Sequence, residues 1–227
     1  MASLEKYFDL IEQYPRLFHN PEGEGIIRII DNPDQIRAWQ ETRKEELASK
    51  GKPLEWADIG VLVDDPWFWV IRDLVEFPDG RRNGYIRFVN RKSLEGGFNV
   101  VIFPMQGDKV LLLKHFRHDT RQWCWEFPRG FGEPGLTVEE NVRKEIQEET
   151  GLLPTKLVEL GRCLESEGET VYYFVELPNQ RLMFEYGEGI AGYTLLSQSE
   201  LKQWVKEGKL SDAFSIMAYV LNLSKPA

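Results

Sequence analysis

Near the start of the chain, the spacing of apolar residues predicts two helices. In residues 3–14 the apolar side chains recur at helical spacing on one side, and Ser3 is the candidate N-cap. A second helix is predicted to begin at Asn32, before a proline, and to run to Lys50. Together they predict an N-terminal helical extension over residues 1–55.

Beyond this extension the hydrophobic pattern becomes that of strands. The segments IGVLV, WFWVIRDLVEF and YIRFV are rich in β-branched and aromatic residues, and the turn signal PDG separates the last two. They predict a small antiparallel sheet subdomain over residues 56–96, with SLEGG as its linker. WFWVI is too apolar for the exposed edge of a small sheet, so we expect a second copy of the chain to cover it in a homodimer.

A second block of mixed pattern fills residues 97–227. The segments FNVVIFP, KVLLLKHF, WCWEF and VYYFVEL predict strands, and two closing helices are predicted at about residues 200–207 and 212–222. Strands and helices do not alternate regularly as they do in a doubly wound sheet. We therefore expect an α/β (α+β) fold, in which a mixed sheet lies between helices.

Composition and charge exclude several classes of protein. Hydrophobic residues make up 42% of the 227 residues, which is enough for a sizeable core. The net charge of −9 argues against a protein that binds duplex nucleic acid, because such a protein needs a basic face. No apolar run approaches the length of a membrane span, and the first residues lack the pattern of a signal peptide. Two distant cysteines, Cys124 and Cys163, form neither a disulfide framework nor a zinc site. We predict a cytoplasmic protein with no nucleic-acid or membrane partner.

The stretch PRGFGEPGLTVEENVRKEIQEETGL, residues 128–152, carries the strongest chemical signal. Thr137 and Glu140 form a capping box, and Gly151 ends the predicted helix. GFGEPG matches the glycine pattern of dinucleotide-binding loops, but the acidic helix after it would repel a pyrophosphate held without metal. We therefore reject a dinucleotide-binding fold.

Three glutamates crowd the end of this helix. On a helical wheel Glu149 lies inside the apolar stripe, Glu145 lies at its edge, and Glu148 lies farther round. Like charges at helical spacing repel one another, so a purely structural helix gains nothing from this arrangement. Hard cations with oxygen ligands remove the repulsion, and Mg²⁺ also binds substrate phosphates. The residues therefore predict a metal site that faces a phosphate.

These residues also resemble the Nudix box, whose pattern is G-x5-E-x7-R-E-U-x-E-E-x-G-U with U aliphatic. Residues in register with the pattern are Gly130, Glu145, Ile146, Glu148, Glu149, Gly151 and Leu152. The flanking segments, over roughly residues 56–223, resemble the ADP-ribose pyrophosphatase branch of that superfamily. The resemblance implies a Nudix α/β/α sandwich, a homodimer, and Mg²⁺- or Mn²⁺-dependent hydrolysis of a nucleoside diphosphate linked to another moiety.

The resemblance also implies a role for particular residues. The implied metal ligands are Glu145, Glu149, Glu148 and the backbone carbonyl of Arg129. The implied substrate-binding residues are Arg117, Glu126, Trp67 and Trp69, although Glu126 also fits a solvated position and the tryptophans also fit a core or an interface. The implied general base comes from an acidic loop after the box, where Glu188 lies, and Glu169 is the fallback. Glu148 is also a candidate catalytic residue.

Two positions depart from the box. Leu136 occupies the place of the box glutamate, and Lys144 the place of the box arginine. In the family these two side chains pair and orient the metal-binding glutamates, so the sequence predicts that this pairing is lost. Two hypotheses follow: a diphosphatase, or a Nudix-fold binding or regulatory module that has lost turnover. The intact glutamates at the end of the helix favour the enzyme.

Overall fold

A computed structural model of the chain describes residues 2–165, 168–183 and 189–224. By its internal contacts the chain forms two compact units, Met1–Arg91 and Lys92–Ala227. The N-terminal helices and the first sheet belong to the same unit, and the boundary between the units falls within a short helix, α3 (Arg91–Leu94). The division of the chain into three segments stays a prediction.

The first unit contains the two predicted helices. Helix α1 (Leu4–Gln13) begins after Ser3, whose hydroxyl accepts the backbone N–H of Lys6. Helix α2 (Pro33–Ser49) begins after Asn32, whose side chain accepts two backbone N–H groups of the first turn. Both predictions are confirmed, because cap residues give a local signal that needs no tertiary context. Short 3₁₀ helices cover Pro15–Phe18 and Leu54–Ala57.

The sheet of the first unit is antiparallel, as predicted. Its strands are β1 (Arg28–Ile30), β2 (Gly60–Asp64), β3 (Phe68–Glu76) and β4 (Arg82–Asn90). Strand β3 pairs with β4 along its whole length and with β2 and β1 over successive parts. The buried Asp73 on β3 accepts hydrogen bonds from Tyr7 of α1 and from Arg87 of β4, so one carboxylate joins the helix to the sheet.

A seven-stranded mixed sheet forms the centre of the second unit. Its strands are β5 (Asn99–Gln106), β6 (Lys109–Arg117), β7 (Gln122–Glu126), β8 (Arg129–Phe131), β9 (Lys156–Glu165), β10 (Gly168–Leu177) and β11 (Ile190–Ser197). The order is β11-β6-β5-β10-β9, with β7 paired to β6 and β8 paired to β5. The β5–β10 pair is parallel, and the other pairs are antiparallel.

Helices cover both faces of this sheet. Helix α4 (Val138–Thr150) buries its apolar stripe against one face, and helices α5 (Gln198–Lys206) and α6 (Ala213–Leu223) cover the other. Alternate residues of β5 enter the two cores: Ile102 faces α4, and Phe103 belongs to the core that includes α6. The mixed sheet between helices, and with it the α/β/α sandwich, is confirmed.

Four strands were not predicted, namely β1, β8, β9 and β11. Strand β8 is only three residues long and contains a glycine, so its sequence has no period to detect. Strand β9 pairs with β10 in antiparallel orientation, although the sequence analysis assigned no strand to residues 156–165. Among the residues that the structure describes, no helix is both long enough and apolar enough to cross a bilayer.

Candidate active site

Helix α4 begins and ends where the sequence predicted. The Thr137 hydroxyl accepts the backbone N–H of Glu140, whose side chain accepts the N–H of Thr137 in return. Gly151 closes the helix in the left-handed conformation, with a φ of 71°. Ile146 is fully buried and Glu149 is only 3% exposed, so the placement of Glu149 inside the apolar stripe is confirmed.

Two of the three glutamates reach strand β8. Glu149 Oε2 accepts the backbone N–H of Arg129 at 3.2 Å. The carboxylate of Glu145 lies against Gly130, where an added β-carbon would overlap it. A side chain at residue 130 would therefore displace that carboxylate. Glu145 and Glu149, one helical turn apart, thus contact the backbone of two consecutive residues, Arg129 and Gly130.

This arrangement fits a hard divalent cation in part. Carboxylate and backbone carbonyl oxygens are the donors that such cations prefer, and Mg²⁺ completes its shell with water and substrate. Within the described ranges, no three His, Cys, Asp or Glu side chains are grouped so that they alone could hold a metal ion. The fit therefore rests on Glu145, Glu149 and the backbone of Arg129. Glu148 stands apart: its side chain is 48% exposed, and one oxygen lies 3.7 Å from Lys144 Nζ.

The pairing of residue 144 with residue 136 is absent, as the sequence predicted, but Lys144 has a carboxylate partner at another position. Its Nζ lies 2.6 Å from Glu133 Oε1, in the loop between β8 and α4. The hydrogen bond to Lys144 holds the pKa of the Glu133 carboxyl below its usual range, and it raises the pKa of Lys144. The loop is anchored by the fully buried Asn141, which accepts the Glu133 N–H at 2.9 Å and donates to the Thr137 carbonyl. A glutamate three residues before Leu136 thus ties the loop to the helix.

Glu126 and Arg117 form a buried ion pair. Glu126 is 1% exposed, and Arg117 Nε donates to its Oε2 at 2.9 Å while Nη2 donates to Oε1. His115 Nδ1 lies 2.9 Å from the same Oε1. Burial alone would raise the pKa of Glu126, but the contacts with His115 and Arg117 outweigh burial and lower it. Of the two alternatives for Glu126, the solvated position is excluded.

The side chain of Arg129 joins this cluster, which sequence reasoning did not foresee. Its Nη2 lies 3.7 Å from Glu126 Oε2, and its Nη1 lies 3.3 Å from Asp212 Oδ1. Its guanidinium carbon lies 4.5 Å from the centre of the Phe214 ring. Asp212 is the N-cap of α6, a structural role that the sequence does suggest, but no spacing signal brings residue 212 to residue 129.

A cleft of about 340 Å³ opens beside these groups. It is lined by Asn99, Arg117, Asp119, Arg129, Phe131 and Phe214, together with the backbone around Gly130. Two guanidinium groups and a carboxylate therefore face one opening, next to the glycine that packs against Glu145. Arginines recognise phosphate, and carboxylates accept hydrogen bonds from sugar hydroxyls.

The remaining candidate residues lie elsewhere. Trp69 is 4% exposed in the core of the first unit and donates its indole N–H to Asp64 Oδ1 at 2.9 Å, whereas Trp67 is 59% exposed. Glu169 lies on β10, where its carboxylate accepts from Arg162 of β9 at 3.0 Å. Glu188 lies outside the described residues. The roles assigned to these four residues stay predictions.

Comparison with known proteins identifies the family. A family model described as "NUDIX domain" matches residues 94–217. An ADP-ribose pyrophosphatase of Escherichia coli (strain K12) is 29% identical over 170 residues, which cover 64% of this chain and 78% of that protein. An ADP-sugar pyrophosphatase of Mus musculus is 29% identical over 117 residues, which cover 49% of this chain and 53% of that protein.

A solved structure agrees with the fold. The crystal structure of an ADP compounds hydrolase matches with a TM-score of 0.59, covering 73% of this chain and 90% of that one. Only 20% of the aligned residues are identical, so this likeness concerns the fold alone.

Proposed function

This chain belongs to the NUDIX domain family and is a Nudix hydrolase, and on that premise we propose that it cleaves the diphosphate bond of an ADP-ribose-like compound. In the proposed reaction, a water oxygen bonds to one phosphorus and the bond from that phosphorus to the bridging oxygen breaks. The products are a nucleoside monophosphate and a sugar phosphate. The observation that carries the proposal is the meeting of Glu145 and Glu149 at β8, beside a cleft lined by Arg117 and Arg129.

A divalent cation, Mg²⁺ or Mn²⁺, is the proposed cofactor. When bound, it would neutralise charge that develops on the diphosphate. Glu145, Glu149 and the carbonyl of Arg129 are the groups that we propose to hold it, and Glu148 is a further candidate. The two-point hydrogen bonding between Arg117 and Glu126 fixes the orientation of the guanidinium beside the cleft. Substrate binding therefore does not have to order this side chain, which avoids a loss of conformational entropy. Glu188 remains the proposed general base.

The alternative, a module without turnover, loses its main support. That hypothesis rested on the departures at Leu136 and Lys144, which seemed to leave the metal glutamates without an orienting pair. The ion pair between Lys144 and Glu133 joins the loop to the helix from a different position, and we propose that it takes over the orienting role. We therefore favour turnover.

A panel of diphosphate compounds tests the proposal. Purified protein would be incubated with ADP-ribose, other nucleoside diphosphate sugars, dinucleotides and nucleoside triphosphates, each with Mg²⁺ or Mn²⁺ and with a chelator as control. We expect metal-dependent release of two phosphomonoesters from ADP-ribose-like members. A preference for triphosphates with release of pyrophosphate would contradict the assigned substrate class, and an absence of turnover on the whole panel would restore the alternative.

We also propose that the chain forms a homodimer through its first unit. Strand β3, which carries most of WFWVI, is paired on both sides and is not the exposed edge that the sequence predicted. The proposal rests instead on Ile86 and Phe88, which lie two residues apart on β4 and therefore on one face, and which both expose more than two fifths of their surface. Such a set of large apolar side chains is typical of an interface.

Phe88→Glu is therefore expected to convert the dimer to a monomer at micromolar protein, as measured by light scattering after gel filtration. Phe88 is 62% exposed, so the variant should fold. Leu164→Glu, at an exposed position of the second unit, is the matched control and should stay dimeric. A monomeric mass for the wild type would refute the proposal.

A further inference from the structure

We infer that the side chain of Arg129 binds a phosphate group of the substrate in the cleft, a role separate from that of the Arg129 backbone. The inference rests on the proposed function, because it concerns the substrate of that site. The backbone N–H of Arg129 is occupied by Glu149, and its carbonyl is a candidate metal ligand. The side chain takes part in neither interaction. It contacts Glu126 and Asp212 and lines the cleft.

The contacts of the Arg129 backbone place its side chain close to the two glutamates. Glu149 accepts the backbone N–H of Arg129, and Glu145 packs against Gly130, the next residue. The Arg129 side chain therefore extends from the same short backbone segment that the two carboxylates contact. The Arg129 side chain is only 18% exposed, yet it lines the cleft. A substrate phosphate near the carboxylates therefore has this guanidinium within the same opening.

The contacts that Arg129 makes do not saturate it. A guanidinium carries five N–H donors, and strong charge-assisted hydrogen bonds to carboxylates have N–O distances of about 2.7–2.9 Å. The distances from Arg129 to Asp212 and Glu126 are 3.3 and 3.7 Å. Arg117, the other cation among the described residues that line the cleft, directs its bidentate edge at Glu126. Arg129 is therefore the better placed of the two to offer donors to an incoming anion.

Its orientation is set before any ligand arrives. The guanidinium packs on the Phe214 ring, which supports one side of the group while its edge N–H donors lie in the plane. Asp212 is held in turn by the N–H and hydroxyl of Ser215, at 2.8 and 2.7 Å. The fully buried Ser215 hydroxyl accepts the N–H of Phe127 at 2.9 Å. This chain of hydrogen bonds links the start of α6 to the segment that leads into β8, so Asp212 and Phe214 act as positioning residues for Arg129.

Charge indicates the class of ligand. The chain is acidic overall, and the immediate surroundings of Arg129 already contain Glu126 and Asp212. These two carboxylates already balance the positive charge of Arg129. Its remaining donors instead suit the oxygens of a phosphate, which bind arginine in the planar, two-point manner that a lysine cannot reproduce.

Arg129→Met tests the inference, because it removes the guanidinium while it keeps an unbranched apolar side chain and leaves the backbone groups in place. We expect KM for the diphosphate substrate to rise about tenfold, the effect of losing a hydrogen bond to a charged group. The metal concentration that gives half-maximal activity should stay unchanged. Arg129→Lys should recover only part of the loss. Arg181→Met, which makes the same change of charge at an exposed position outside the cleft, should behave as the wild type.

Direct binding separates this inference from the proposed function. AMP, ribose 5-phosphate and adenosine would be titrated calorimetrically into wild type and Arg129→Met. Weaker binding of at least one of the phosphates, with the adenosine signal unchanged, supports the inference even if the wild type hydrolyses nothing on the panel. Unchanged affinities and an unchanged KM would overturn it. A fall in melting temperature together with an altered metal requirement would also overturn it, because the side chain would then be structural.

Discussion

Glu149→Gln is expected to reduce kcat by more than the roughly 10–100-fold that follows when a residue that only orients a metal ligand is lost. The carboxylate is 3% exposed within an apolar stripe and reaches the backbone of β8. We propose that this buried acid is a ligand of the cation, and an amide is a much weaker cation ligand than a carboxylate. The glutamine oxygen can still accept the N–H of Arg129, so the fold should survive. Steady-state kinetics and thermal melting measure the two effects.

Two further measurements show whether the loss is due to metal binding. Calorimetric titration with Mn²⁺ should give weaker binding for Glu149→Gln, whatever its activity. The metal-free melting temperature should be at least that of the wild type, because one of two neighbouring like charges is removed. Glu139→Gln, on the exposed side of the same helix, is the matched control and should change none of these quantities. Wild-type turnover in Glu149→Gln would show that the metal site has been wrongly placed.

Local signals explain what the sequence could predict. The caps at Ser3, Asn32 and Thr137 each depend on a few neighbouring residues, and all three helices begin where these residues place them. The position of Glu149 in the apolar stripe follows from helix geometry alone. The mixed sheet was also predictable in outline, because its longer strands carry clear β-branched and aromatic runs.

Other features depend on chain segments that meet only in the fold. Residue 129 and residue 212 come together because α6 starts beside β8, and nothing in their spacing indicates this. Alternation along β7 placed Glu126 on the opposite side from its neighbours, yet could not decide between solvent and site. Burial and the pairing with Arg117 exclude the solvated position, and a role in the site stays a proposal. The short strand β8 had no period, although it forms the backbone against which both acidic side chains pack.

The partner of Lys144 is another contact that the sequence did not reveal, and it changes what is expected of a substitution at Leu136. Alignment with the Nudix box places Leu136 where the box has a glutamate, and on that basis Leu136→Glu would be expected to restore the partner of residue 144. The loop instead brings Glu133 to 2.6 Å from Lys144, across 11 positions of sequence. Leu136→Glu is therefore expected to change kcat/KM by no more than a few-fold, because Lys144 already has a carboxylate.

Breaking the pair itself should matter much more. If Glu133 is replaced by Gln, Lys144 is expected to turn towards Glu148, whose carboxylate is 3.7 Å away, and the ion pair between α4 and the preceding loop is lost. We expect kcat/KM to fall about 10–100-fold in Glu133→Gln and in Lys144→Gln, the range typical of residues that orient metal ligands. The double variant should lose no more than the worse single one, since the two side chains act through one contact. The swapped pair Glu133→Lys/Lys144→Glu should recover part of the activity.

Stability provides the control for this cycle. Both side chains are partly exposed, at 54% for Glu133 and 35% for Lys144, and exposed ion pairs contribute only about 0–1 kcal/mol to the free energy of unfolding. The melting temperatures of the four variants should therefore stay within a few degrees of the wild type, while the metal concentration for half-maximal activity rises. Losses that simply add in the double variant would mean that the two residues act independently. A large fall in melting temperature would mean that the pair stabilises the loop and has no separate effect on the site. Coupled losses at constant stability would establish that Glu133 takes the place left by Leu136, and that the departure at that position does not by itself disable the enzyme.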